Sequence, residues 1–413
     1  MKRLIVASKK LILVQQHDIL VGFTVYYVTG AIVFLGMLFG NDFVKRPQNT
    51  PQAQHGTILA SFCHYDALHY ASICVSGYTY NPSQGSEVAF FPAYPLLARG
   101  IMKATNCRVE WALLITSHLA LVGSFISLHS YTRRRFPEVC DSTLPWNVLL
   151  AFGLVPTTFF FRMAYSESIF LFASIWTLLA MESRKSIIWV AILCGLTTAT
   201  RPVGIAFLPA FLWHWWQRAD NRRAFFAHAL YLVPLACWGL LAYMTYQYLA
   251  FGDPLAFAKV QQHWRSHADA PLDVKAWSLL ILEPLWAMFL PSSERYWSYH
   301  ERHYAPFFSL VVANPIYFAL TASLIVVGAV KRWLNGCEIL LATGLIFIPY
   351  ITRGYDNSML STGRFAAAVL PAYFVLGQLL HRAPAGAATV FAAVGGFMLG
   401  SYSALFAAGY ALF

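Results

Sequence analysis

Residues 90–104 read Phe-Phe-Pro-Ala-Tyr-Pro-Leu-Leu-Ala-Arg-Gly-Ile-Met-Lys-Ala, and whether they cross a bilayer decides the topology of the whole chain. The stretch is apolar, but Pro92, Pro95, Arg99 and Lys103 fall inside it. We read Phe90–Ala104 as a re-entrant or interfacial helix. Charge tests that reading. If the stretch does not cross and the N-terminus is cytoplasmic, the short loops Arg133–Arg135, Arg184–Lys185, Arg218–Arg223, Lys331–Arg332 and Arg382 are all inside. All are basic, as the positive-inside rule requires. If it crosses, every one of them moves outside. In the non-crossing topology Arg162, Arg201, Arg353 and Arg364 are the basic residues left in short outer loops, and they call for another explanation.

Composition supplies the bilayer. The chain is 58% hydrophobic and 11% charged, against about 25% charged in an ordinary soluble domain. Its mean hydropathy is +0.54. In water such a chain would expose large adhesive patches. A crossing helix needs roughly 20 apolar residues, and the candidates are Ile19–Gly40, Val109–Tyr131, Trp146–Phe161, Glu167–Met181, Ser186–Thr200, Pro202–Trp216, Ala227–Phe251, Pro306–Val330, Glu338–Ile351, Phe365–Leu380 and Ala387–Phe413. The expected fold class is an all-α polytopic membrane protein, a single domain over residues 1–413 with about eleven spans. Two long outer loops are expected, at about 41–105 and 253–305. The basic start (Lys2, Arg3, Lys9, Lys10) has the look of a signal peptide, but the apolar run to Gly40 is too long for one, so an uncleaved first span is expected. The net charge of +11 is explained by topology-setting loops, and no soluble basic domain is present to bind nucleic acid. The seven cysteines form no C-x-x-C pair, and spacing leaves open a pairing among Cys63, Cys74 and Cys107.

Each ionisable residue near the outer side has a plain reading beside a functional one. Asp66 precedes a helix over Ala67–Ser76, with Leu68, Ala71 and Val75 on an interfacial stripe and Gly77 as its stop. It is either an N-cap, worth about 1 kcal/mol, or a general base for a sugar hydroxyl. Glu87 is a solvated loop acid or a second site carboxylate. Ser166 can cap a helix starting at Glu167, and Arg162 can pair with that glutamate. Arg201 and Arg364 have no acidic neighbour in sequence. They either snorkel or bind phosphate, which a planar guanidinium grips bidentately. Asp253 stops a helix or holds a sugar. His263 and His267 have metal-ligand spacing without a third ligand, and His300-Glu301-Arg302-His303 lacks the spacing of a metalloprotease motif. No metal or other cofactor is expected, and a divalent-metal requirement is left open. Asp66, Glu87, Glu167, Arg201, Asp253 and Arg364 all fall on one side of a topology that was set without them. Acids and arginines on one face imply an anionic substrate presented at the membrane.

Five stretches then resemble a known family, in its order. They are Tyr65-Asp66-Ala67-Leu68-His69-Tyr70, Ala89-Phe90-Phe91-Pro92-Ala93-Tyr94-Pro95-Leu96-Leu97, Tyr165-Ser166-Glu167-Ser168-Ile169-Phe170, Ala199-Thr200-Arg201-Pro202-Val203-Gly204 and Phe251-Gly252-Asp253-Pro254-Leu255-Ala256-Phe257. Together they resemble the PIG-V-like mannosyltransferases, relatives of the second GPI mannosyltransferase, over roughly Phe62 to Phe257. The resemblance implies the GT-C membrane fold and a polyprenyl-phosphate-mannose donor. It also implies a glycolipid or glycan acceptor at the lumenal or periplasmic face, and inverting transfer. Asp66 matches the catalytic aspartate of the first outer loop. Tyr65, His69, Glu87, Glu167, Arg201, Asp253, Gln261 and Arg364 are the candidate substrate-binding residues. Tyr65 stands where the family commonly has tryptophan, which bears on donor or acceptor preference. The compact length favours a bacterial cytoplasmic membrane over the endoplasmic reticulum. A secondary transporter and a non-catalytic assembly subunit are the alternative readings.

Overall fold

The computed structural model describes residues 2–46, 57–265, 269–290, 292–293, 310–410 and 412, and the side chains of all of these except 2–14, 310 and 311. Among them there is helix and no strand. The first helix, α1 (Lys2–Phe43), contains a candidate crossing of Gln15–Phe43. Within the loop expected at 41–105 lie α2 (Asp66–Ser76) and α3 (Ala93–Thr105), and α4 (Val109–Arg135) follows it. Then follow α5 (Leu144–Leu154), α6 (Glu167–Glu182), α7 (Ile187–Thr200), α8 (Phe207–Trp216), α9 (Arg222–Ala236) and α10 (Trp238–Phe251). The C-terminal part holds α11 (Leu310–Val330), α12 (Gly336–Pro349), α13 (Thr362–Ala367), α14 (Leu370–Arg382) and α15 (Ala385–Ala407).

Five helices are long and apolar enough to cross a bilayer, and seven if each bent pair is one crossing. The chain is an integral membrane protein. The expected count of eleven is not reached on these terms. The stretch expected as one span at Trp146–Phe161 is α5 followed by a 3-10 segment, Pro156–Arg162, bent by 78°. Pro156 removes a helix donor and keeps its predecessor out of the helical region. The Ala227–Phe251 expectation is likewise α9 and α10, bent by 61° just after Pro234. The remaining four expected spans correspond to α6, α7, α8 and the pair α13–α14, none longer than 16 residues.

The stretch that decides topology is α3. Its 13 residues extend about 20 Å, at 1.5 Å per residue, well short of a hydrocarbon core of about 30 Å. It buries Tyr94, Pro95 and Ala98 and leaves Leu96 and Leu97 exposed. The Tyr94 hydroxyl fixes it to α4, donating to the Leu113 carbonyl at 3.0 Å and lying 2.9 Å from Ser117 Oγ.

The two ends of the bundle differ in chemistry. At one end Arg135 pairs with Glu338 at 3.0 Å, Arg134 donates to Ser183, and Arg218 donates to the Lys185 carbonyl at 2.7 Å. Arg382 lies over the Trp333 ring at 4.4 Å. The basic loops thus meet at the ends of α4, α6, α8, α11 and α14. The opposite ends of α4, α6 and α12 lead to the first outer loop and its neighbours. Between the ends lies an aromatic core of Phe125, Phe152, Phe161, Phe170 and Tyr373. Helix α1 runs against α15 so closely that a Cβ on Gly40 would sit 1.9 Å from the Ala404 carbonyl oxygen, and one on Gly36 2.4 Å from that of Gly400. Small residues allow this approach, as is common between membrane helices. All seven cysteines are free, so the pairing left open for Cys63, Cys74 and Cys107 is absent.

Candidate active site

Glu167 opens α6 with a fully buried side chain. An isolated carboxylate there would be strongly unfavourable, and two arginines from distant parts of the chain compensate it. Glu167 Oε1 lies 2.6 Å from Arg201 Nη1 and accepts from Arg364 Nε. The Arg201 contact is ionic rather than a well-aligned hydrogen bond, and Glu167 Oε2 accepts none. The other arm of Arg364 reaches outward, and its Nη1 donates to Asp66 Oδ2 at 2.6 Å. Asp66, Arg364, Glu167 and Arg201 therefore form one continuous ion-pair chain across four segments. Tyr165 supports it from below, its ring 4.4 Å from the Arg364 guanidinium, with Phe160 at 5.4 Å.

Exposure separates the two carboxylates. The Asp66 side chain is 31% exposed and that of Glu167 is at 0%. Burial pushes the Asp66 carboxyl up, but Arg364, with help from His69 and Arg201, outweighs this and holds it below the usual carboxylate value. The backbone around the cluster is unusual. Tyr65, just before Asp66, has φ 57° and ψ −114°, and Ser358, Met359 and Ser361 before Arg364 also have positive φ. Such conformations in non-glycine residues cost of order 1–3 kcal/mol each and persist where the surroundings over-determine them.

Three local expectations are corrected. Asp66 is the first helical residue of α2 rather than its N-cap, and no side chain caps that helix. Ser166 does not cap α6 either: its hydroxyl accepts from Tyr70 at 2.8 Å. Of the stripe, Leu68 and Val75 are exposed and Ala71 is half-buried against the core, while Ala67, Tyr70, Ile73 and Cys74 are buried, and Gly77 ends the helix at φ 88°. Arg162 does not pair with Glu167. It is buried against α1, donating to Thr29 Oγ1 at 2.5 Å, with the Tyr26 and Phe125 rings near it.

The other candidates sit around this cluster or away from it. His69 stacks on Phe90 at 4.7 Å and meets Trp264 edge-on at 6.2 Å. Glu87, at the rim, accepts from Thr79 and from Ser72 at 3.3 Å. Burial raises its carboxyl, and the Thr79 hydrogen bond heads the contacts that lower it further, for a net depression. Asp253 stands apart. It pairs with Lys259 at 2.7 Å and accepts from the Leu255 amide at 3.0 Å, closing the turn after α10. The Tyr65 hydroxyl turns to the Gly409 carbonyl at 2.8 Å. Gln261 accepts from Arg353. The sequence reading missed four neighbours: Arg353, Phe365 between Arg353 and Arg201, Tyr165 under Arg364, and Trp264. The signals for them were that Arg353 broke the positive-inside pattern and that Tyr165 opens one of the five family stretches.

His263 Nε2 lies 2.9 Å from the Pro82 carbonyl, and its expected partner His267 is outside the described residues, as is His300–His303. At the basic end, potential ligand atoms of His17, Asp18 and His129 lie within 4.8 Å of one another. Arg133 already pairs with the same Asp18 oxygen at 3.2 Å, so that charge is matched without an ion.

Residues 41–267 match the family described as Mannosyltransferase (PIG-V), a stretch that contains all five motifs and three members of the ion-pair chain. One relative is GPI mannosyltransferase 2 of Drosophila pseudoobscura pseudoobscura, 31% identical over 164 residues, which cover 35% of this chain and 35% of the relative. The match thus spans about a third of that protein's length. The family match extends over more than half of the chain, and the chain belongs to the Mannosyltransferase (PIG-V) family.

Proposed function

We propose that the protein transfers mannose, or a similar hexose, from a polyprenyl-phosphate-linked donor to a glycolipid or glycan acceptor, with Asp66 as general base. The observation that carries this reading is the contrast within the ion-pair chain. Glu167 is enclosed by two guanidiniums, while Asp66 is held by one and still reaches solvent. Glu167 is the electrostatic hub, and Asp66 is the carboxylate a substrate can meet.

In the reaction, the acceptor hydroxyl oxygen attacks the anomeric carbon from the face opposite the phosphate, so the configuration inverts. Its proton passes to Asp66. The bond between the anomeric carbon and the phosphate oxygen breaks, and the electron pair leaves with the lipid phosphate. That leaving group needs charge stabilisation rather than a proton, and Arg201 and Arg364 flank the place where the charge develops. Glu87, with His69, Phe90 and Trp264 beside it, forms the rim against which a sugar can stack and hydrogen-bond. The site faces the lumen or periplasm, the side away from the basic loops. The finer architecture belongs to the same proposal: a GT-C-like bundle of about eleven crossings, with the short helices α6, α7, α8 and α13–α14 completing the count. The acceptor is a GPI-like glycolipid, by analogy with the relative's name. That relative is from a fly, which lends no support to the expected bacterial membrane.

The test is sugar transfer in proteoliposomes, with mannosyl phosphoryl polyprenol as donor and host lipids and glycans as acceptors. Wild type transfers mannose. Asp66→Asn keeps its fold and loses about 10²–10⁴-fold in rate, the usual contribution of a general base. Turnover at the wild-type rate in this variant removes Asp66 from the role. Absence of transfer by folded wild type across a panel of donors favours a transporter or assembly subunit.

A further inference from the structure

Three guanidiniums, Arg201, Arg353 and Arg364, face two carboxylates, Asp66 and Glu167. Arg201 and Arg364 are each committed to a carboxylate. Arg353 is not: among the described residues no carboxylate lies within ion-pair distance of it. Its Nη2 donates to the neutral Gln261 amide oxygen, and its guanidinium lies over the Phe365 ring at 5.7 Å. The same ring carries Arg201 on it at 5.8 Å. The next basic residues outward, Arg265 and Lys275, both pair with Asp356, at 3.1 and 2.9 Å. Among Arg201, Arg353 and Arg364, Arg353 is therefore the guanidinium that no carboxylate of the described residues balances directly.

The backbone that carries this residue is a second, independent observation. Helix α12 does not end in an ordinary cap. It continues as a π-helical turn over Tyr350–Gly354, with Arg353 within it. A π turn sacrifices regular hydrogen bonding and redirects side chains, and such turns concentrate at functional sites. Positive-φ residues Ser358, Met359 and Ser361 follow before Arg364 returns to the cluster.

We propose that Arg353, steadied by Gln261, is the anchor for the phosphate of a membrane-borne phospholipid-type donor. This rests on the transferase reading and adds the residue that selects the donor. A polyprenyl phosphodiester carries one negative charge, which the one guanidinium without a carboxylate can balance. The planar fork of Arg353 suits two phosphate oxygens at once. Bound there, the phosphate lies on the Arg201–Phe365–Arg353 side of the cluster, and Asp66 stays free to meet the acceptor.

The test reads binding rather than turnover. Full-length protein in nanodiscs is titrated with a short-chain polyprenyl phosphate, with the polyprenol of the same length, and with inorganic phosphate. Wild type is expected to bind the polyprenyl phosphate at least about tenfold more tightly than the alcohol, as a charge-assisted contact implies. Arg353→Leu should abolish that preference with an unchanged melting temperature, and Arg353→Lys should keep part of it. Gln261→Leu, which leaves the guanidinium in place, should weaken the preference several-fold and guards against a folding defect in the Leu variant. Inorganic phosphate should compete only at millimolar concentration, and only against proteins that retain a cation at 353. A preference for phosphate that survives in Arg353→Leu overturns the assignment. So does a wild type that binds phosphate and alcohol alike, or one that binds inorganic phosphate more tightly than the lipid. Because the probe carries no sugar, failure here leaves the transferase reading standing, and failure of transfer leaves this binding test intact.

Discussion

At the scale of single residues, the Asp66–Arg364 pair links charge to pH. The Asp66 carboxyl is depressed, so its pairing contributes stability at neutral pH. That contribution is present above the unfolded aspartate value of about 3.9 and is lost as pH falls through the lower folded value. The transfer rate should therefore show no acid limb from Asp66 between about pH 5 and 7. Removing the guanidinium takes away the largest of the contacts that oppose burial and leaves only the weaker pull of His69 and Arg201, so the carboxyl rises. In Arg364→Gln the acid limb of residual activity should move above the ordinary aspartate range. A pH–rate profile that stays where it was would show that Arg364 does not control Asp66. Legibility at this scale was uneven. Asp66, Glu167, Arg201 and Arg364 stood out because charges at span ends need a reason. Arg353 was noticed only as an exception to a topology rule, since a π turn leaves no mark in residue spacing. The phenylalanine platform under it was equally silent, because Phe365 reads as the start of an apolar run.

At the scale of elements, the basic end is held by a buried network that the sequence hinted at only as a helix start. Asn335 and Glu338 form a capping box at the head of α12. Glu338 also pairs with Arg135 at 3.0 Å and accepts from the Tyr131 hydroxyl at 2.7 Å. Glu338→Ala leaves a part-buried cation, a buried hydroxyl and a helix donor without partners at once. The expected cost is about 3 kcal/mol or more, read as a clear fall in melting temperature, whereas Glu338→Gln should lose less by keeping the hydroxyl and capping contacts. The two outer loops meet in a similar economy of space: a Cβ on Gly85 would stand 2.8 Å from the Trp264 ring. Gly85→Val should therefore push Trp264 from His69 and Phe90 and weaken substrate binding, measured as a raised KM with little change in melting temperature. Apolar run length foretold α1, α4 and α15 well. Residues 146–161 and 227–251, expected as single spans from their apolar length, are bent pairs, because Pro156 and Pro234 interrupt the helix in ways that run length does not register.

At the scale of the molecule, two cysteines report on sidedness without engineering. Cys107 lies just before α4 and Cys140 just after it, and both are part-exposed. If α4 crosses the bilayer, an impermeant maleimide added from the site side labels Cys107 and spares Cys140 until the membrane is opened. Equal labelling of both from one side would contradict the crossing. This end-to-end polarity was the most legible property of the chain, because the basic loops announce one end and the scarcity of charge makes every remaining acid conspicuous at the other. The number of crossings was less legible, since short helices of 10 to 16 residues look alike in composition whether they cross in full or in part.

Glu167 answers two arginines from a position where no water can take its place. In evolutionary terms the three residues are one character. Loss of the glutamate strands Arg201 and leaves Arg364 to Asp66 alone, and loss of either arginine leaves the glutamate half supported, so each single step away from the set should pass through a less fit intermediate. Lineages can drift at the rim, where Glu87 and Asp253 have solvent to fall back on, but at the hub they must change in concert or not at all. Divergence in donor or acceptor preference should thereby be channelled to the periphery, with the charge pattern at the centre expected to pass on as a block.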